Sequence, residues 1–305
     1  MRYCTFSVAG DVKQRLGAAS ADSVVDLEQA AAGNWPGAFP ASLLALIQAG
    51  PDAWRGMNEL AAAALSAKPA GTAYAPDKIQ WHAPIPRPTK NVFCIGLNYA
   101  KHARESAAAR GQELKLPEVP LIFTKSPTSV NGPYGVVPLD KRVTTQVDYE
   151  AELGVIIGLG GKNISREDAL KHVFGYTVIN DVSARDVQFK HVQFFKGKSL
   201  DRFCPMGPVV VTADEFGDPQ NKKLGTRVNG EQRQHSSTSD MIFPVDSVIY
   251  WLSLGMTLDP GDIIATGTPE GVGMGFTPPV YLKDGDVVET EVEGIGTLRN
   301  KFQSV

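Results

Sequence analysis

The sequence predicts an α+β fold that is mostly β, in which a small N-terminal α/β domain precedes a larger β-rich domain. Residues 1–70 are rich in alanine and carry helical patterns, whereas short apolar runs separated by turn signals dominate from Asn91 onward. Between these regions, APIPRPTK at 83–90 is a proline-rich, extended connector. We therefore divide the chain into an N-terminal domain (1–80), a linker (81–90) and a C-terminal domain (91–305).

Composition excludes several classes of protein. The 305 residues are 43% hydrophobic and 21% charged, which is typical of a soluble globular protein. The balance of 30 basic and 33 acidic residues gives no electrostatic reason to expect nucleic acid as a partner. No apolar run approaches the ~18 residues that span a bilayer, and the N-terminus has no secretory pattern. Because the three cysteines also lack paired spacing, we expect a cytoplasmic protein without a membrane partner, disulfides or zinc.

Local signals predict individual helices and turns. The segment 41–71 predicts two helices that break at Gly50-Pro51. Further helices are predicted at 245–254, between a proline and a glycine, and at 166–173, behind a serine cap. Asn229-Gly230 and Asp284-Gly285 are typical of hairpin tips, which indicates that antiparallel strands flank them.

The stretch VDYEAELGVIIG places acids at every second position ahead of an apolar run. On one strand Asp148, Glu150 and Glu152 would project from the same face, with neighbours ~6.6 Å apart along the chain. At an effective dielectric constant of ~20, each neighbouring pair of charges repels by ~2.5 kcal/mol. An exposed edge strand whose acids pair with Lys141 and Arg142 would tolerate this repulsion. A bound cation would relieve it as well.

A second stretch, GYTVINDVSARDVQ, favours the cation. Here Asp181 also lies at the end of an apolar strand. Two carboxylates from one strand and one from another provide the oxygen ligands that Mg²⁺ and Mn²⁺ prefer, and leave positions for water or substrate. We therefore predict a metal site where these strands meet.

Five linked motifs resemble those of the fumarylacetoacetate hydrolase superfamily, in the same order and spacing. They are DYEAELGVIIG, NDVSARDVQ, FFKGKSLDRFCPMGP, VNGEQRQHSSTSDMIF and LDPGDIIATGTPEGVG, and the resemblance covers residues 91–305. It implies a mixed β-roll, a homodimer, and Mg²⁺ or Mn²⁺ held by Glu150, Glu152 and Asp181, with Asp148 as a structural acid. It also implies small-molecule substrates, namely 2-oxo acids or 1,3-dicarbonyls that chelate the metal.

The segment GLNYAKHARE offers a catalytic base. His102 and Glu105 are three residues apart, so they share one face of a helical turn, and Glu105 could hold the imidazole in one tautomer. From the residues alone, this histidine could equally be an ordinary surface residue. The resemblance matches the pair to the acid–base dyad of hydrolytic members. The following segment, SAAARGQELK, is small and polar, which suits a mobile lid.

The resemblance implies that Lys198 stabilises negative charge that develops on the substrate. It also implies three substrate-binding residues, namely Arg185, Gln188 and Thr268. From the residues alone, Lys198 could be a solvated cation, and on a strand Lys196 would share its face. Arg185 could instead form a structural ion pair with Asp186 or Glu150. These alternatives stay open at the level of the sequence.

The predicted function is Mg²⁺- or Mn²⁺-dependent hydrolysis of a C–C bond in a 2,4-dioxo acid of the acylpyruvate or fumarylpyruvate type, through a metal-stabilised enolate. The compact HARE dyad resembles the acylpyruvate hydrolase and oxaloacetate decarboxylase branch of the family. An isomerase of the hydroxyhepta-dienedioate type and an oxaloacetate decarboxylase remain alternatives, because they share this metal and enolate chemistry. A non-catalytic metal-binding or ligand-binding scaffold is the alternative outside enzymes, and the His102–Glu105 pair argues against it.

Overall fold

Two β-sheets organise the structure, a computed structural model that describes residues 1–305. The strands are β1 (Arg2–Val8), β2 (Arg15–Ala19), β3 (Val24–Asp26), β4 (Ala73–Tyr74), β5 (Ile79–His82), β6 (Val92–Gly96), β7 (Leu121–Lys125), β8 (Val130–Asn131), β9 (Val137–Leu139), β10 (Val147–Asp148), β11 (Ala151–Ile157), β12 (Gly161–Lys162), β13 (Val173–Asn180), β14 (Ser183–Ala184), β15 (Cys204–Thr212), β16 (Lys223–Val228), β17 (Glu231–Ser237), β18 (Thr257–Leu258), β19 (Ile263–Ala265), β20 (Val287–Val292) and β21 (Gly296–Ser304). The helices are α1 (Leu27–Ala31), α2 (Leu43–Gln48), α3 (Pro51–Ala67), α4 (Ala100–Ala109), α5 (Arg166–Ala169), α6 (Arg185–Lys190), α7 (Phe195–Lys198), α8 (Ala213–Phe216) and α9 (Val245–Ser253).

The larger sheet has twelve strands. Its main path runs β4-β3-β2-β1-β15-β13-β11-β19-β6-β7, with β5 beside β1 and β8 beside β15. The central strands β11 and β13 are buried along their whole length, as their near-continuous apolar runs require. A second sheet of five strands has the order β17-β16-β20-β21-β9, and both sheets contain parallel as well as antiparallel pairs. The predicted α+β, mostly β fold is confirmed.

The N-terminal segment extends the large sheet. Strand β1 pairs antiparallel with β15 and also with β5, so that Tyr3 lies beside Val210. The ring of Trp54 on α3 packs edge-on against Phe174 of β13, with 5.2 Å between the centroids. The division at residues 81–90 stays a prediction. In that range the chain continues β5 and then buries Ala83 and Ile85 in an apolar core that both regions share.

Most local predictions agree with the observed elements. Helices α2 and α3 divide at Gly50-Pro51, α9 begins at Val245, and Asn229-Gly230 joins β16 to β17. The helix predicted at 166–173 is shorter, because only α5 and a 3₁₀ turn at Leu170–His172 precede the start of β13. Asp284-Gly285 forms a turn but not a hairpin tip, since no strand ends directly before it. No helix is long and apolar enough to span a bilayer.

We expect the whole chain to unfold in one transition, because β1 and α3 are built into the sheet and core of the C-terminal region. Variants that keep only Trp54 or only Trp251 would report the two regions separately by fluorescence in guanidinium chloride. The two unfolding midpoints should coincide. Clearly separated midpoints would instead establish residues 1–80 as an independently stable domain.

Candidate metal-binding active site

Three acidic side chains converge where β11 and β13 meet. One ligand atom from each of Glu150, Glu152 and Asp181 lies within 4.8 Å of the other two, and all three residues are buried. The chain places them by leaving the regular strand at Glu150. Its N–H donates to Oδ1 of Asn180 at 3.0 Å, and its carbonyl accepts from the N–H of Asp181 at 2.9 Å. These bonds fix the two acids beside each other.

The expectation that all three acids of the first motif share one strand face is wrong, because the strand is interrupted between β10 and β11. Asp148 lies outside the cluster and accepts hydrogen bonds from the N–H groups of Gly273, at 2.6 Å, and Met274, at 3.1 Å. It also forms an ion pair with Arg185 at 2.9 Å. Pairing of the acids with surface groups is excluded by their burial, and Arg142 bonds Asp140 instead.

Three buried cations surround the acidic cluster. The Nζ atom of Lys198 lies 2.7 Å from Glu150 and 2.8 Å from Asp181, while Arg185 Nη1 lies 2.8 Å from Glu150. Lys125, at the end of β7, donates to Asp181 Oδ1 at 2.5 Å and to the carbonyl of Val182 at 3.1 Å. Lys125 was not predicted. In the sequence it ends the run LIFTK and has the pattern of a lysine at an exposed strand end.

These charges shift the protonation of the cluster. Burial raises the pKa of Glu152, and the negative charges of Asp181 and Glu150 raise it further. Burial also opposes ionisation of Glu150, but Lys198 and Arg185 outweigh it and lower the pKa of Glu150 to about 2. For Lys198, burial favours the neutral amine, yet the carboxylates of Asp181 and Glu150 prevail and raise its pKa. Lys198 is therefore an ammonium group.

The donor set fits a divalent cation. All three ligands are carboxylates, which are the groups that bind hard cations such as Mg²⁺ and Mn²⁺. Each carboxylate has about four acceptor positions, so bonds to the lysines leave others available. The mutual repulsion that raises the pKa of Glu152 is also what an added positive charge would relieve. Glu150, Glu152 and Asp181 could therefore hold the metal.

The predicted dyad lies on α4, and its histidine lines the same pocket as Glu150 and Glu152. On α4, His102 Nδ1 is 3.2 Å from Glu105 Oε2, and the other oxygen of Glu105 accepts from the N–H of Gly271 at 2.9 Å. Because a carboxylate only accepts, Nδ1 carries the proton and Nε2 keeps a lone pair. His102 is 5% exposed, so it is not a surface residue. The predicted lid segment begins inside α4, which ends at Ala109.

The remaining predicted residues also face this pocket. Thr268 accepts from Gln234 Nε2 at 2.8 Å, which leaves its own hydroxyl proton free. Gln188 accepts from Arg185 at 3.2 Å through Oε1, which leaves its amide N–H groups free. The alternative that Lys196 shares the face of Lys198 on a strand does not hold. This segment is the helix α7, on which Lys196 is exposed while Lys198 is buried.

A single pocket joins these groups. Its lining combines the two glutamates of the acidic cluster, the histidine of the predicted dyad and the predicted substrate residues with several aromatic rings. It includes Glu150, Glu152, His102, Arg185, Gln188, Lys198, Thr268, Ser106, Arg110, Phe123, Phe189 and Phe194. A buried cationic and anionic floor and a more apolar rim are typical of sites for small charged substrates.

Comparison with known proteins finds relatives in both sequence and fold. The profile of the family described as Fumarylacetoacetate (FAA) hydrolase C-terminal matches residues 91–303. The chain is 54% identical, over 229 residues and 75% of each protein, to the oxaloacetate tautomerase YisK of Bacillus subtilis. It is also similar to the solved fumarylacetoacetate hydrolase of Exiguobacterium antarcticum, at 40% identity and a TM-score of 0.80 over the full length of both chains. A maleylpyruvate hydrolase of Sphingobium sp. SYK-6, solved with manganese(II) and pyruvate, has 29% identity and a TM-score of 0.75, over 100% of this chain and 99% of that one.

Replacing one ligand should weaken metal binding selectively. We expect Glu150→Gln to lower the affinity for Mn²⁺ by about tenfold or more, because it removes one of three anionic ligands. Titration calorimetry on the folded variant measures this. Glu105→Gln makes the same chemical change beside the pocket but outside the acidic cluster. It should leave the Mn²⁺ affinity near that of the wild type. Equal affinity in both variants would reject Glu150 as a ligand.

Removing the unpredicted lysine should cost stability. Lys125→Met leaves the buried Asp181 with one cation fewer, and loss of one partner of a buried ion pair costs about 3–5 kcal/mol in free energy of unfolding. Denaturant unfolding in the presence of EDTA measures this cost. Lys171→Met, which removes a lysine from an exposed ion pair with Asp168, should leave the free energy of unfolding near that of the wild type. Equal effects would show that the Lys125 pair is not important for stability.

Proposed function

The chain belongs to the fumarylacetoacetate hydrolase family, and we propose that it is an oxaloacetate tautomerase that works with a divalent cation. One observation carries the proposal: the imidazole of His102, oriented by Glu105, opens into the same pocket as the acidic triad. A base that faces a cation site suits the removal of a proton beside a 2-oxo group. The name of the 54% identical Bacillus relative supports oxaloacetate as the substrate.

Tautomerisation moves one proton between C3 and the 2-oxygen of the substrate. A divalent cation held by Glu150, Glu152 and Asp181 would polarise the 2-oxo group. In the direction of the enol, His102 takes the C3 proton on Nε2 and gives a proton back to the 2-oxygen, and ketonisation reverses these two transfers. Glu105 keeps Nδ1 protonated throughout and stabilises the imidazolium that forms in between. The Lys198 ammonium group, with its raised pKa, stabilises negative charge on the substrate oxygens rather than acting as a base.

C–C hydrolysis of a 2,4-dioxo acid, the function first predicted from the sequence, is the second candidate. It is favoured by the oriented imidazole, since a histidine placed in this way can also activate a water molecule. The solved maleylpyruvate hydrolase of Sphingobium sp. SYK-6 has a similar fold over its full length and supports this candidate, although it is only 29% identical to this chain. Decarboxylation of oxaloacetate would use the same polarised 2-oxo group without a base.

A homodimer and a cytoplasmic location also remain predictions.

A substrate panel distinguishes these functions. Purified protein with Mn²⁺ or Mg²⁺ is incubated with enol-oxaloacetate, acetylpyruvate and fumarylpyruvate, and enol loss, C–C cleavage and CO₂ release are followed separately. We expect the protein to make the ketonisation of oxaloacetate faster than the uncatalysed reaction. This acceleration should disappear when EDTA removes the metal. Cleavage of the dioxo acids without tautomerisation would favour the hydrolase. Bound metal with no turnover of any substrate would favour the non-catalytic scaffold.

The base is tested by its removal. We expect His102→Ala to slow tautomerisation by about 10²- to 10⁴-fold, the usual cost of losing a general acid–base group, with Mn²⁺ affinity retained. The control His235→Ala changes an exposed histidine on β17 that does not line the pocket, and should leave the rate unchanged. An unchanged rate in His102→Ala would exclude this residue as the base. Loss of Mn²⁺ binding as well would indicate a structural role.

A further inference from the structure

One positively charged side chain of the pocket lacks an acidic partner. Of the three cations that line the pocket, Arg185 is bound to Asp148 and Glu150, and Lys198 is bound to Glu150 and Asp181. The third, Arg110, has no ion pair. Its Nε donates to the carbonyl of Ser106 at 3.2 Å, and its guanidinium carbon lies 5.9 Å from the centre of the Phe189 ring. Its remaining N–H groups are therefore available to a ligand.

Arg110 is an exposed residue that lies on the same side of α4 as His102. His102 and Ser106 on α4 and Arg110, which caps its C-terminal end, are spaced four residues apart, so they lie along one face of the helix. Helical side chains lean towards the N-terminus of their helix, and the bond from Arg110 to the carbonyl of Ser106 follows that direction. The guanidinium group thus lies over the preceding turn, beside Ser106, and lines the same pocket as His102. Stacking on Phe189 limits how far it swings outward.

The deep end of the pocket already has donors for one carboxylate. Thr268 keeps a free hydroxyl proton, and Gln188 keeps free amide N–H groups, both beside the acidic triad. A second carboxylate at the other end of the substrate would meet the rim, which is otherwise formed largely by phenylalanine rings. A carboxylate there needs a cation, and the planar guanidinium group can bind it through two parallel hydrogen bonds.

We propose that Arg110 binds the distal carboxylate of the substrate and so makes the enzyme selective for dicarboxylic over monocarboxylic 2-oxo acids. This inference rests on the proposed function, since it assigns the substrate's second charge to a residue of the same site. Arg110 determines specificity through binding and takes no part in the proton transfer.

Oxaloacetate and pyruvate form a matched pair for the test, because they differ only in the distal carboxylate. Tautomerisation of both substrates is measured as proton exchange at C3 in D₂O, which NMR monitors directly. The protein is loaded with Mg²⁺ and kept free of Mn²⁺. We expect Arg110→Gln to reduce the preference for oxaloacetate, as the ratio of kcat/KM values, by about 10- to 100-fold, mainly through KM. Arg110→Lys should restore part of that preference. Arg104→Gln, an exposed arginine on the same helix that does not line the pocket, should leave the ratio unchanged.

Failure of the two proposals can be told apart. If the wild-type protein exchanges protons on neither substrate, the proposed tautomerase function fails, and binding then tests Arg110 directly. Calorimetry with malate and lactate, a stable dicarboxylate and monocarboxylate pair, gives the binding preference of the metal-loaded protein. A preference for malate that Arg110→Gln abolishes supports the role of Arg110. Absence of that preference in the wild type, or its persistence in Arg110→Gln, overturns it.

Discussion

The repulsion among three buried carboxylates is the constraint on which the rest of the site depends. Glu150, Glu152 and Asp181 are almost completely removed from water, where each negative charge would be strongly unfavourable without compensation. Ion pairs with Lys125 and Lys198 compensate part of this charge, and Glu152 keeps a raised pKa. The site therefore still favours additional positive charge, which a divalent cation would supply.

The architecture serves that constraint by holding the acids on rigid, buried strands. Residues of β11 and β13 pair in register, with Ala151 beside Asn180, so the acids at their ends are fixed relative to one another. Side chains of the second sheet complete the arrangement, since Gln234 on β17 accepts from the N–H of Ala151 and donates to Thr268. The proposed base, His102, lies instead on the helix α4. With the proposed metal ligands on rigid strands and the proposed base on a separate helix, the pocket mouth can vary while the acidic floor stays fixed.

The sequence predicts the acidic triad well but the surrounding cations poorly, and the reason is physical. Acids at the ends of apolar strands are conspicuous, because they conflict with the burial of their neighbours. A lysine at a strand end is ordinary, so Lys125 gives no local signal, although it is fully buried. The sequence also leaves open which way the Lys198 side chain points. The segment that forms α7 has only four residues, which is too short for its pattern to distinguish a helix from a strand. The β1–β15 pairing depends on strands some 200 residues apart, and no local pattern encodes such a register.

The charges also narrow the assignment of the base. A lysine can act as a base only if its surroundings favour the neutral amine, and burial alone would do so for Lys198. Its two carboxylate partners reverse that effect and raise its pKa, so its proton is held more firmly than in water. The same partners make the ammonium group a fixed positive charge beside the triad. Among the groups that line the pocket, His102 has a neutral nitrogen with a free lone pair and a carboxylate positioned to stabilise its protonated form. The acids that favour a bound cation thereby also favour the histidine over Lys198 as the proposed base.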